Sequence, residues 1–590
     1  MTLKPFAETI SFYRLHKKEI EKKDSRADVR IALLPSSTIA GLKETMAVHC
    51  HEMGLRPDIY VGKYKQTAQE ILDPKSDLYN FKPHIIFILS NVRAALGETY
   101  LGPYAISQGT RKRWFERTLK ETEKLIAVLK KSDAKIVISN LEVPTHSPLG
   151  ILENKEELGL QKTVREINER LCDQYKKDVQ VFIFDYEGFL SRIGKQNALD
   201  PKLYYLGDIT LDPQYFPALT EQLMGYIRPL KALTKKCLVV DLDNTMWGGI
   251  IGEDGLGGIK LGPTPEGRPF WELQKYMLSL SERGVILAIN SKNNLEDVRE
   301  VFKKHPHQVL KEEHFASLQI NWSDKVENMR RIAEEIGIGI DSIAFLDDNP
   351  AERALIRSAL PEVSVIELPE DPARFLETLQ RLTLFDAFSL SPEDKKRSEM
   401  YTTERKRQSL KKSSGSLEEY LRTLGTTITI RKASPDSIPR VAQLTQKTNQ
   451  FNTTTRRRTE EEIRKLTSDK NTLILTVDVK DNFGESGLTG VAIVRLAKEN
   501  WRIDSFLLSC RVIGRGAEDG LLSAIIKRAK RAKAKTIVGE FIPTPKNAPA
   551  KGFYKRCGFV LAESVGKTEM WEYSPIKNFE APKTVTVKEQ

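Results

Sequence analysis

No stretch of the 590 residues approaches the roughly 18 to 20 uninterrupted apolar positions that cross a bilayer. Met1 to Glu21 is broken by Lys4, Glu8, Arg14, Lys17 and Lys18 where a secretory signal would keep an apolar core. Neither a membrane-spanning protein nor one secreted by a visible signal is expected. Cysteine is scarce as well: Cys50, Cys172, Cys237, Cys510 and Cys557 are odd in number, far apart and never spaced as CxxC. That pattern excludes a disulfide framework and a thiolate zinc site, and places the chain in a reducing cytoplasm. Histidine numbers only eight, with none between His146 and His305. No basic run is interleaved with aromatics and no nucleic-acid-binding signature occurs, so nucleic acid is set aside as a partner.

What is present is globular. Hydrophobic residues make up 40%, charged residues 29% and aromatics 8%, values at which a chain buries cores. The length is about four times the roughly 150 residues of one domain, so three or four domains are expected. Lys and Arg exceed Asp and Glu by 92 − 80 = 12, a surplus that can attract nucleic acid, anionic lipid, phosphorylated metabolites or an acidic protein partner, and whose sign alone does not choose among them.

Along residues 1–228, short apolar runs at Val29–Leu34, Ile59–Val61, His84–Leu89, Lys135–Ser139 and Val179–Phe184 alternate with helical patterns, which predicts a parallel α/β sheet. A second α/β block, 229–388, carries strand candidates Cys237–Val240, Val285–Asn290 and Ser342–Leu346, each followed by polar residues. Residues 389–424 read as a basic helical linker, since Lys395–Lys412 holds eight basic residues against two acidic ones. Residues 425–575 read as an α+β domain with strands at Thr426–Ile430, Leu473–Val479, Thr489–Leu496, Arg502–Leu508 and Thr536–Phe541 and a helix at Ala517–Lys533; 576–590 read as a tail.

The second block carries the chemistry. Asp241-Leu242-Asp243-Asn244-Thr245 follows an apolar strand directly, so two carboxylates lie just past a sheet edge where a hard divalent cation such as Mg²⁺ can bind through oxygens. One carboxylate can attack phosphorus while the other handles the leaving-group proton. Asn290-Ser291-Lys292 ends the next strand, Asn321-Trp322-Ser323-Asp324-Lys325 opens a helix, and Asp347-Asp348-Asn349-Pro350 ends a third strand. A hydroxyl for a phosphoryl oxygen, an ammonium for its charge and a second carboxylate pair for the metal can thus converge.

These clusters resemble the haloacid dehalogenase superfamily of Mg²⁺-dependent phosphoryl-transfer enzymes. The resemblance implies Asp241 as nucleophile, Asp243 as general acid/base, Ser291 and Lys325 as phosphate-orienting groups, and a metal shell drawn from Asp241, Asp243, Asp348 and Asp347, with Asp348 the direct ligand and Asp347 hydrogen-bonded behind it. The longer strings Thr245-Met246-Trp247-Gly248-Gly249-Ile250-Ile251-Gly252-Glu253-Asp254-Gly255, Ser291-Lys292-Asn293-Asn294 and Asp347-Asp348-Asn349-Pro350-Ala351-Glu352-Arg353 look like the FkbH family. That family takes a glyceryl group from 1,3-bisphosphoglycerate and loads it on an acyl carrier protein in polyketide pathways. The Gly-rich Gly248–Gly262 reads as a short loop in place of a large cap domain.

In the last domain, Cys510-Arg511-Val512-Ile513-Gly514-Arg515-Gly516-Ala517 closes a strand and opens a helix, where glycines let backbone N–H groups approach a pyrophosphate. With Phe553-Tyr554 and Gly558-Phe559 downstream, the block resembles the GNAT acetyltransferases. This implies Arg511, Gly514, Arg515 and Gly516 as the grip on phosphopantetheine or CoA, and Tyr554 as the acid for a leaving thiolate. A glyceryl loader also needs a thiol, and Cys510 beside the grip is the candidate, against its reading as a small buried hydrophobe. Lys447-Thr448-Asn449-Gln450-Phe451-Asn452 resembles the family too, without an assignable role.

The first block resembles the SGNH hydrolase fold, with Ser36 in Pro35-Ser36-Ser37-Thr38 at the nucleophile position. Where that fold has DxxH the sequence reads Asp212-Pro213-Gln214-Tyr215, so a hydrolytic triad is not expected and a structural or carrier-docking role is. The combined expectation is a cytoplasmic, Mg²⁺-dependent loading enzyme using a phosphorylated three-carbon acyl donor, phosphopantetheine or CoA, and an acidic acyl carrier protein. The rivals are a stand-alone phosphatase on a small metabolite and an N-acetyltransferase on an amine.

Overall fold

The computed structural model describes residues 4–21, 27–390, 407, 410 and 415–590. The basic stretch Lys395–Lys412 lies outside the described residues except at 407 and 410. The chain forms two compact units, one of residues 2–231 with 386–389, the other of 232–385 with 390–590.

In the first unit, β1 (Val29–Pro35), β2 (Pro57–Val61), β3 (Ile85–Leu89), β4 (Lys135–Ser139) and β5 (Val181–Phe184) form a parallel sheet in the order β2-β1-β3-β4-β5. All five strands fall on the runs read from the sequence, shifted by at most two residues. Ile31 to Leu34 are all fully buried, as expected of strands covered on both faces by crossover helices. From β1 the chain passes to β2 on one side and returns to β3 on the other. A crevice therefore opens between the carboxyl ends of β1 and β3.

The second unit holds two sheets. The first comprises β6 (Cys237–Val240), β7 (Ile286–Ser291), β8 (Phe315–Ile320), β9 (Ile343–Leu346) and β10 (Ser364–Val365), parallel in the order β10-β9-β6-β7-β8. β6 matches expectation, β7 is shifted by one residue and β9 lacks Ser342. β8 and β10 were not read from the sequence: β8 places Ser317 and Gln319 among its apolar residues, and β10 has two residues only. Gly248–Gly262 is not a bare loop. It folds back on itself through paired hydrogen bonds between Gly248 and Lys260 (3.0 and 2.7 Å) and carries a short helix, Ile251–Gly258, kinked at Gly255.

The other sheet is mixed and nine-stranded: β11 (Thr427–Lys432), β12 (Phe451–Asn452), β13 (Thr472–Asp481), β14 (Gly484–Arg495), β15 (Asn500–Leu508), β16 (Thr536–Phe541), β17 (Val560–Val565), β18 (Thr568–Tyr573) and β19 (Thr586–Glu589). Antiparallel pairing joins β11, β13, β14 and β15, and β16 then joins β15 in parallel. The segment read as a tail is part of this fold. β19 pairs in parallel with β11, and Val585 packs so close to Gly516 that a Cβ there would meet it at 3.0 Å. No helix among the described residues is long and apolar enough to cross a membrane.

Glu142 sits wholly inside the first unit, accepting a hydrogen bond from Val92 N at 3.0 Å. Burial pushes its carboxyl from the ordinary 4.5 up to about 7. The folded chain thus holds this proton more tightly than the unfolded chain does. The stability it contributes is present below pH 4.5 and lost as pH rises through 7. Glu142→Gln should therefore raise the first unit's unfolding midpoint at pH 8 relative to wild type and flatten its decline between pH 5 and 8, as followed by urea unfolding of the full chain. An unchanged pH dependence in the variant would refute this assignment.

Candidate active site

The carboxyl ends of β6, β7 and β9 lie flush because Val240 pairs with Ile289 on one side and Leu346 on the other. Asp241 continues this ladder, donating its N–H to Leu346 O at 3.0 Å. Lys325 comes from the loop beyond β8 and starts the helix Lys325–Ile336, which Asp324 caps by accepting from Val326 N and Glu327 N. Its ammonium is buried and lies 2.6 Å from Asp347 Oδ2 and 3.2 Å from Asp241 Oδ2.

Asp241, Asp347 and Asp348 each present a carboxylate oxygen within 4.8 Å of the others. Burial, and then the neighbouring Asp241 charge, push Asp347 up to about 7, while Lys325 opposes the rise. The same two causes raise Asp348. Burial alone would lower the Lys325 ammonium, but the charges of Asp241 and Asp347 hold it above its ordinary value. Asp241 Oδ1 is buried with no hydrogen-bond partner among the described residues. Three crowded carboxylates, one ammonium and an unpartnered carboxylate oxygen fit a hard divalent cation held by Asp241, Asp347 and Asp348.

Asp243 departs from its expected place in the metal shell. Its carboxylate is outside the cluster and instead accepts from Trp247 Nε1 at 2.9 Å, Ile251 N at 3.1 Å and Asn293 Nδ2 at 2.9 Å. The same Asn293 amide donates to Ser291 Oγ at 3.3 Å, so it ties the expected acid/base to the expected phosphate-orienting hydroxyl. Thr245 donates to Asp348 Oδ1 at 3.0 Å and accepts from Asp348 N at 3.1 Å. Asp347, expected behind Asp348, is a full member of the cluster. Asn293 and Thr245 had no assigned role in the sequence, although both lie inside the motifs that carried the resemblance.

Residues 30–228 match the family model described as FkbH, N-terminal domain. Over those residues the chain is FkbH-like. Among solved structures it is similar to the N-terminal part of the protein BF1531 from Bacteroides fragilis, which contains a phosphatase domain and was crystallised with Mg. Identity is 29%, with 66% of this chain and all of that one covered, and the TM-score is 0.60. The ribosomal-protein-S18-alanine N-acetyltransferase from Escherichia coli aligns with 25% of this chain and 95% of its own at 15% identity and a TM-score of 0.21. No curated protein matches the chain.

The thiol does not share the aspartate site. Cys510 faces a cleft of about 450 Å³ whose wall includes Lys236 and Gly337 to Ser342. Those residues precede β6 and β9, at the sheet edge opposite to the aspartates. A Cβ on Gly337 would lie 3.9 Å from Cys510 Sγ, and Gly337 ends the helix that Lys325 begins, about 18 Å away at 1.5 Å per residue. The cleft gathers Lys236, Arg440, Lys447, Arg511 and Lys546 against Asp341 and Glu362. Lys447 to Gln450, the motif without an assigned role, forms part of the wall, and Arg457 holds that segment by donating to Thr445 O and Thr448 O at 2.8 and 3.2 Å.

The expected pantetheine grip is altered in several parts. Gly514 and Gly516 do adopt positive φ (75° and 80°), but Gly514 N donates to Glu518 Oε1 at 3.2 Å, so a carboxylate occupies a donor meant for phosphate. Arg515 is turned inward, 3.4 Å from Asp481, which also holds Arg407. Tyr554 is buried in the core beneath Gly539, where a Cβ would clash with its ring at 2.4 Å. Burial drives its ionisation far up, and it does not line the Cys510 cleft. Only Arg511 of the expected grip faces the cleft.

Asn293 is placed to fix the Asp243 carboxylate. Asn293→Ala should lower kcat on a phosphate monoester tenfold or more with KM within about twofold, because the Asp243 carboxylate loses a donor. Asp243→Asn should cost about 100-fold or more, in the range of general acid–base catalysis. Steady-state kinetics of both variants check this, and wild-type kcat in Asn293→Ala would remove the positioning role.

Proposed function

We propose that this protein is a Mg²⁺-dependent phosphatase and acyl transferase. It would take a phosphoglyceryl group, with 1,3-bisphosphoglycerate as the donor, remove its phosphate at Asp241, and load the glyceryl group on the phosphopantetheine thiol of an acidic acyl carrier protein of a polyketide-type pathway. The observation that carries the phosphatase half is the Asp241–Asp347–Asp348 cluster around Lys325, with Asp243 oriented alongside. The basic cleft at Cys510 supports the transfer half, since a cationic rim favours encounter with an acidic carrier and Cys510 can hold an acyl group as a thioester.

When bound, Mg²⁺ would neutralise charge on the phosphoryl oxygens, held by Asp241, Asp347 and Asp348. The Asp241 carboxylate attacks phosphorus and the bond to the ester oxygen breaks, while Asp243 delivers the proton that this oxygen takes up. Asp243 then removes a proton from water, which attacks the aspartyl phosphate, releases inorganic phosphate and restores Asp241. Lys325 and Ser291 hold the phosphoryl oxygens during both displacements.

A stand-alone phosphatase acting on a free metabolite is the second reading, favoured by the placement of Cys510 and the aspartates at opposite edges of one sheet. Incubation with Mg²⁺, 1,3-bisphosphoglycerate and holo carrier protein, followed by intact mass measurement, separates the two. The loading reading expects a glyceryl mass on the carrier and on the enzyme, with the enzyme adduct lost in Cys510→Ala and phosphate release lost in Asp241→Asn. Phosphate release at an equal rate without carrier, and no mass gain on either protein, would establish the stand-alone phosphatase instead.

A further inference from the structure

The crevice between the carboxyl ends of β1 and β3 in the first unit is a built cavity. Its volume is about 680 Å³, and its walls include Ser36, Lys65, Gln69, Arg93, Tyr100 and Tyr204. That size falls within the roughly 300 to 1,000 Å³ of small-molecule sites, and the place is where a sheet of this strand order holds its ligands.

The hydroxyl of Ser36 is not available for nucleophilic work. It donates to Leu89 O at 3.1 Å and accepts from Asn91 N at 3.0 Å and Asn91 Nδ2 at 2.8 Å. His84 lies before β3, its Nδ1 accepting from Arg30 N at 3.1 Å, at the edge opposite the crevice. Among the described residues that line it, the cavity therefore has a serine already saturated and no imidazole base.

Among the described residues that line it, the charged groups are Lys65 and Arg93. The Arg93 guanidinium lies over two rings, 4.6 Å from the Tyr100 centroid and 4.2 Å from that of Tyr204. The two tyrosines fix the position of the guanidinium, and against burial, which alone would loosen its proton, the charge of their hydroxyls and rings holds that proton more tightly than usual. Lys65 adds a second cation on the same wall; Asp208 holds it at 3.3 Å and is itself held by the Tyr64 hydroxyl at 2.5 Å. Among the described residues that line the cavity none is a carboxylate.

We propose that this crevice binds an organic phosphate intact, with Arg93 and Lys65 as the groups that grip it, and does not hydrolyse it. An oriented guanidinium plus an ammonium suits a phosphate or diphosphate better than a single carboxylate, which Arg93 alone would satisfy. The reading stands independently of the aspartate centre and of the Cys510 cleft.

Calorimetric titration of the full chain with inorganic pyrophosphate in EDTA tests it, with citrate as the carboxylate control. Wild type and Asp241→Asn should bind pyrophosphate alike, and Arg93→Ala should bind at least tenfold more weakly. Leu101 also lines the cavity and is 77% exposed, so Leu101→Glu leaves the fold intact and should weaken binding about fivefold or more. That variant decides the matter should Arg93→Ala lose its thermal transition. Absence of pyrophosphate binding in wild type, equal affinity in Leu101→Glu, equal affinity in a folded Arg93→Ala, or citrate bound as tightly as pyrophosphate would each overturn the proposal.

Discussion

A single buried ammonium governs the candidate active site. Lys325 faces Asp241 and Asp347 in a sheet edge from which water is largely excluded, and Asp348 stands beside them. Three carboxylates against one cation leave an unbalanced negative charge that the interior does not tolerate. Without a metal, part of the charge is relieved because burial and the Asp241 charge make Asp347 hold a proton more tightly than an ordinary carboxyl does. A divalent cation held by the three aspartates would relieve it more completely. Removing Lys325 would strand its partners, so the lysine is as much a condition of the site as the aspartates are.

The rest of the domain serves to put that ammonium and those carboxylates together. β6 has four residues, all fully buried, and sits at the centre of its sheet with parallel neighbours on both sides. A strand with no polar residue and no exposed face has one register that keeps every backbone group bonded. That register sets Asp241 next to Asp347 and places Ser291 at the end of the other neighbour. The backbone link from Asn321 N to Ser291 O at 3.1 Å brings the loop before Lys325 to the same edge.

This explains what could be read from the sequence. An apolar run ending abruptly in polar residues is a local signal: it drew attention to Asp241, Ser291, Asp347 and Asp348, while Lys325 came from a polar cluster opening a helix and the five strands of the first unit from apolar runs alternating with helical patterns. Partnerships across long separations carry no local signal. Thr245 meets Asp348 from 103 residues away and Asn293 meets Asp243 from 50, so both remained motif residues without a role, and Asp243 was placed on a metal that its actual donors draw it away from. The turn before the Ala517–Arg531 helix shows the same limit. Its positive-φ glycines were legible as backbone chemistry, whereas the Asp481 that turns Arg515 inward comes from another strand. Tyr554 failed for a related reason: a motif fixes its neighbours in sequence, while its burial is fixed by the glycine at 539.

The helix Lys325–Ile336 constrains any coupling between phosphate removal and thioester chemistry. One end is held by the aspartates and the other abuts Cys510, so a group bonded to Cys510 Sγ is separated from Asp241 by about 18 Å of rigid helix. A three-carbon acyl chain spans a fraction of that. If Cys510 is the acceptor, dephosphorylation and acyl capture cannot act on the group in one fixed position. Either the phosphate leaves before the acyl group reaches the cleft, or it leaves while the group rides on an arm long and mobile enough to pass from one sheet edge to the other. A carrier-borne phosphopantetheine satisfies the second condition and a free metabolite the first, so the order of the two events follows from which of them the aspartate site receives.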